Sequence, residues 1–94
     1  MSVIWTAPAR QDITHIRTYI AKENSTAAKK VATAIVLFVE QQLVFKQSGR
    51  AGRVIGTREL VVPKLPYTIA YRIVADRVEI LRVLHHARLW PDTL

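Results

Sequence analysis

Arg82, His85, His86, Arg88 and Trp90 lie close together near the end of the chain, and they carry most of the chemistry it offers. Arginine presents a permanent fork of donors to phosphate or carboxylate. Histidine titrates near neutral pH and can move protons. An indole can stack on a base or pack on a protein. Arg50, Arg53 and Arg72 add positive charge upstream. Such a set fits RNA, with arginines on phosphates and an aromatic on a base, and it fits an acidic protein patch equally well. A solvated basic face with ordinary surface histidines is the plainer alternative, because spacing alone does not bring these residues together.

Other chemistries find less support. His85 and His86 are neighbours on an extended segment, so their side chains point apart and make a poor shared metal site. Neither a metal nor any other cofactor is implied. There is no cysteine, hence no disulfide and no thiol nucleophile. Gly49-Arg50-Ala51-Gly52-Arg53 has glycines and charge but does not lead into a helix, so it reads as a mobile basic loop rather than a phosphate cradle. Ser2, Ser25 and Ser48 sit in no nucleophile elbow. Glu59 and Glu79 have arginine neighbours, and ion pairing explains them more simply than glycoside chemistry.

The elements that must position these residues are those of one small domain, residues 1–94. Half of the 94 residues are hydrophobic, which is enough for a modest core. The net charge of +7 is uneven: residues 1–45 carry +2 and residues 46–88 carry +6. The start of the chain lacks the pattern of a signal peptide. Its longest greasy stretch, Val31 to Phe45, is broken by polar residues and too short to span a bilayer.

Val3–Thr6 reads as a short opening strand, with Thr6 able to cap a helix that has Pro8 in its first turn. Ile13, Ile16 and Ile20 form the apolar stripe of that helix, with Asp12, His15, Arg17 and Lys22 mostly opposite. Asn24 or Ser25 caps a second helix, about Thr26 to Phe45, with a stripe of Val31, Ile35, Phe38, Gln42 and Phe45. Val36, Leu37, Leu43 and Val44 lie partly outside that stripe, so this helix is either sandwiched in the core or covered by a partner. After the basic loop come strands at Arg58–Val62, Tyr67–Val74 and Arg77–Leu84, the last two a hairpin. Arg72 and Arg82 interrupt apolar strand faces and must pair or reach solvent. The expected fold is α+β in the order β-α-α-β-β-β: a helical hairpin packed on a small, mainly antiparallel sheet.

The ordered motifs resemble the ParE and RelE toxins of bacterial type II toxin–antitoxin systems, and the ParE branch more closely. They are Trp5-Thr6-x-x-Ala9, Ile16-Arg17-x-Tyr19-Ile20, Gly49-Arg50-x-Gly52-Arg53, Thr57 to Val62, Pro66-Tyr67-x-Ile69-x-Tyr71-Arg72, and Val78 through His85-x-Ala87-Arg88-x-Trp90-Pro91. The resemblance covers essentially the whole chain and implies the fold just derived. It also implies a cytoplasmic toxin, of the kind tied to plasmid stabilisation and growth inhibition. A cognate antitoxin would neutralise it in a hetero-oligomer, with Val36, Leu37, Leu43 and Val44 as its docking positions.

The superfamily divides by target. RelE-type members cut messenger RNA on the ribosome, and ParE-type members inhibit DNA gyrase. Here Thr68, not arginine, follows Tyr67, and no tyrosine comes after Tyr71, departures that favour gyrase. On that reading no catalytic residue is expected, and Arg50, Arg53, Arg82, His85, His86, Arg88 and Trp90 contact the target. The alternatives are a metal-independent endoribonuclease using Arg82, His86 and Arg88, and a non-toxic binding module on the same fold.

Overall fold

The computed structural model describes residues 2–45 and 49–94. Strand β1 (Ser2–Trp5) is followed by helices α1 (Ala7–Ala21) and α2 (Ser25–Phe45), then by strands β2 (Arg50–Ala51), β3 (Arg58–Val61), β4 (Tyr67–Val74) and β5 (Arg77–His85). The sheet order is β1-β5-β4-β3-β2. β1 runs parallel to β5, and every other pairing is antiparallel. The α+β helical hairpin on a mainly antiparallel sheet is therefore observed, with one addition. Arg50–Ala51, expected within a mobile loop, pairs with Arg58 and Glu59 as an edge strand.

Thr6 starts α1 as expected. Its hydroxyl accepts from the Ala9 amide at 3.3 Å and donates to the Ile80 carbonyl at 2.7 Å, so one side chain caps the helix and fastens it to β5. Pro8 stands in the first turn, where no intrahelical N–H is needed. Asn24 caps α2, accepting from the Ala27 amide at 3.0 Å.

The core lies between the helices and one face of the sheet. Tyr67, Ile69 and Tyr71 from β4 meet Val78, Ile80 and Val83 from β5, with Ile35, Val39 and Leu43 from α2 and Ala9 from α1. Two sequence expectations are corrected here. The buried stripe of α2 is Ala28, Ala32, Ile35, Val39 and Leu43, one position round from the expected one, because the small alanines let α2 lie close to α1. Leu43, expected to face outward for a partner, is fully buried in the core. The expectation for Val44 concerns a side chain outside the described residues.

A further correction concerns β5. Strict alternation puts Arg82 on the face of Val78 and Ile80, but a bulge intervenes. Tyr71 pairs with Ile80 while Ala70 pairs with Arg82, so Leu81 is the extra residue and Val83 takes the core-facing phase.

Candidate functional site

Two buried carboxylates organise the face of the molecule that carries the basic residues. The first is Asp12, placed by its sequence position on the polar side of α1 but 5 % exposed in the structure. β1 accompanies β5 only as far as Ile80, and the chain then turns into α1. The next stretch of that β5 edge has no strand beside it, and Asp12 takes the place of one. Its carboxylate accepts from the Val83 amide at 2.9 Å, and from Arg82 Nε at 2.7 Å and Nη2 at 3.0 Å. The Asp12 hydrogen bonds raise the Arg82 pKa above its ordinary value, against the effect of burial. Arg88 reaches the same carboxylate at 3.9 Å.

The second is Glu59 on β3, 3 % exposed. It pairs with Ala70, which alternates with the core residues of β4, so Glu59 faces away from the helices. It accepts from the Arg53 amide at 2.8 Å, Arg53 Nε at 3.1 Å, Arg53 Nη2 at 3.1 Å and Arg50 Nη2 at 3.2 Å. Burial pushes the Glu59 carboxyl up, but the hydrogen bonds from Arg53 and Arg50 outweigh this and hold it below the ordinary carboxylate value. The arginine stretch is thus tied down. The Gly52 amide donates to the Thr57 carbonyl at 2.8 Å, and Gly56, at φ +82°, makes the turn between them.

On this frame lies a cleft of about 230 Å³ lined by Arg50, Arg53, Val61, Thr68, His85, His86, Arg88 and Trp90. Of the expected contact residues, Arg50, Arg53, His85, His86, Arg88 and Trp90 therefore do meet. Arg82 does not line the cleft; it stands behind it, joined to Arg88 through Asp12. The histidines diverge. His86 Nε2 lies 3.0 Å from the Thr68 hydroxyl, while the His85 ring meets the Tyr67 ring edge-on at 5.3 Å. The Arg53 guanidinium lies 3.9 Å over the Trp90 ring, and the indole Nε1 is buried without a hydrogen-bond partner among the described residues. Among the described residues, no three His, Asp or Glu side chains gather to hold a metal ion.

Val36 and Leu37 border a separate groove between the helices, about 300 Å³, with Ile13, Arg17, Ala32 and Thr33. Leu37 is half exposed, so this part of the expected docking face is open. No helix among the described residues is long and apolar enough to cross a membrane.

Asp12 is the residue of this frame that sequence reasoning missed. The signal was there: Ala9, Asp12 and Ile16 follow helical spacing, so a carboxylate interrupts an apolar stripe just as Arg82 interrupts an apolar strand. For Glu59, ion pairing was legible, but the partners are Arg50 and Arg53 rather than the adjacent Arg58.

Comparison with known proteins gives these features a family. Residues 3–90 match the family described as ParE toxin of type II toxin-antitoxin system, parDE. The chain is 42 % identical over 90 residues to the toxin candidate Y4kP of Sinorhizobium fredii, covering 96 % of this chain and 93 % of that one. It is 33 % identical over 87 residues to Toxin RelE2 of Caulobacter vibrioides, covering 93 % and 97 %. A solved structure from the chromosomal ParDE system of P. aeruginosa superposes with a TM-score of 0.80 at 30 % identity, covering 90 % and 95 % of the two chains. The chain belongs to the ParE family of toxins from type II toxin–antitoxin modules.

Proposed function

We propose that this toxin acts in the cytoplasm by docking on DNA gyrase through the cleft and the segment ending at Trp90, with no catalytic residue of its own, and that a cognate antitoxin neutralises it. The observation that supports this reading is that the arginines of this face are braced by buried carboxylates. Arg50 and Arg53 are paired to Glu59 and Arg82 to Asp12. The two arginines on Glu59 share one carboxylate, so the pairing fixes their positions and leaves positive charge beside the cleft. These arginines hold the protein together, and the result is a shaped, partly aromatic contact surface. The groove beside Val36 and Leu37 is where an apolar antitoxin segment would lie, and the +7 charge suits an acidic one.

One observation favours the second reading, ribosome-dependent RNA cleavage: His86 and Arg88 share the cleft and are exposed. The test is to mix the purified chain with gyrase, ATP and relaxed plasmid and to follow supercoiling and trapped double-strand breaks. Lost supercoiling or accumulated breaks supports docking on gyrase, and Trp90→Ala should then relieve the effect while leaving the chain folded. Intact supercoiling, with cleaved message in a translating extract that His86→Ala abolishes, establishes the nuclease instead.

A further inference from the structure

We infer that Glu59 is a positioning residue of the docking surface: its buried carboxylate holds the Arg53 guanidinium over the Trp90 indole and so sets where the C-terminal segment lies. The functional part of this inference rests on the docking reading above; the structural part does not.

Three observations support it. First, Glu59 satisfies Arg53 through its backbone amide and two side-chain nitrogens, which fixes both the position and the plane of the guanidinium. Arg50 adds a fourth bond from the neighbouring edge strand. Second, Trp90 lies beyond the last strand, in a stretch without helix or strand, so side-chain contacts must hold it. The guanidinium at 3.9 Å over its ring is such a contact. Third, the Trp90 Nε1 is buried without an acceptor among the described residues. An unpaired buried donor opposes the packed position, so that position depends on the stacking contact with Arg53. Remove the carboxylate and Arg53 loses what keeps it over the ring. The side chain of Glu59 is 2 % exposed, so it can affect a target only through Arg53, Arg50 and Trp90.

The experiment uses the full chain carrying Trp5→Phe, which leaves Trp90 as the reporter tryptophan, with and without E59Q. Acrylamide quenching of Trp90 emission reads the latch; being neutral, acrylamide does not respond to the change in charge. In E59Q the ratio of open to closed Trp90 should rise about fivefold, with far-UV circular dichroism unchanged. R53Q should give the same rise, and E59Q/R53Q should be no worse than R53Q, since the two act in one chain of contacts. Half-inhibitory concentration against gyrase should rise with the open fraction, while maximal inhibition is retained.

Quenching in E59Q and R53Q equal to that of the parent overturns the inference, even if both variants melt earlier, because a merely structural glutamate would lower stability without exposing Trp90. Increased quenching in both variants, with W90A still fully inhibitory, supports the latch and refutes the docking reading. Should E59Q fail to fold, R53K replaces it: it keeps the cation but loses the two-pronged hold of Glu59, so increased Trp90 quenching is expected and quenching equal to that of the parent overturns the inference.

Discussion

At the scale of single residues, the molecule is arranged around paired charges in places where charge is costly. Asp12 and Arg82 each break an apolar surface, and they are tolerated because each satisfies the other and Asp12 also serves the Val83 amide. Asp12→Ala should cost about 3 kcal/mol, since it leaves a guanidinium and a backbone donor unpaired. Replacing both residues by apolar ones, Asp12→Leu with Arg82→Met, should recover much of that loss, and chemical denaturation of the single and double variants measures the difference. Glu59 gives a dependence on pH. Its folded pKa lies below the ordinary 4.5, so it contributes stability that is present above that value and lost as pH falls through the folded pKa. Thermal melts below pH 4.5 should therefore show an acid limb that E59Q flattens.

At the scale of elements, α2 serves the core with one side and leaves the other open. Leu43 and Leu37 separate the two roles, one fully buried and the other half exposed. Leu43→Ala should cost about 3 kcal/mol by leaving a cavity. Leu37→Ala should leave stability within about 0.5 kcal/mol and weaken the complex with the antitoxin, read by calorimetric titration of the two proteins. Equal destabilisation by the two variants would mean that Leu37 is packed rather than presented. The bulge in β5 is the other element-scale device. By inserting Leu81 it brings Val83 into the core, and the Thr6 hydroxyl that caps α1 donates to the carbonyl of the preceding Ile80.

Across the whole molecule, charge is distributed by region. The surplus sits in residues 46–88, and much of it is gathered along the cleft. A strongly acidic antitoxin segment would be drawn by that field before any contact forms. The association rate with the antitoxin should then fall steeply between low and moderate salt, while dissociation changes little, as stopped-flow mixing would read. A salt-independent association rate would show instead that the apolar groove between the helices governs encounter.

The order of elements, the helical hairpin, the capping by Thr6 and the final hairpin of strands were legible in the residues, because each depends on periodicity and on neighbours a few positions apart. So were the cleft residues Arg50, Arg53, His85, His86, Arg88 and Trp90 as a list, although not their meeting, nor that Val61 and Thr68 join them and Arg82 does not. Three things came only with the tertiary structure. The side of α2 that faces inward depends on how closely its alanines let it approach α1, and a reading by bulk overlooks small residues. The phase of β5 depends on an extra residue that no alternation pattern marks. The pairing of Asp12 with Arg82 joins residues 70 positions apart, and Arg53, bound to Glu59 and stacked on Trp90, joins a strand to two segments outside it. A charge on an apolar stripe announces that a partner is needed, but where that partner comes from is decided by which backbone groups the fold leaves unpaired.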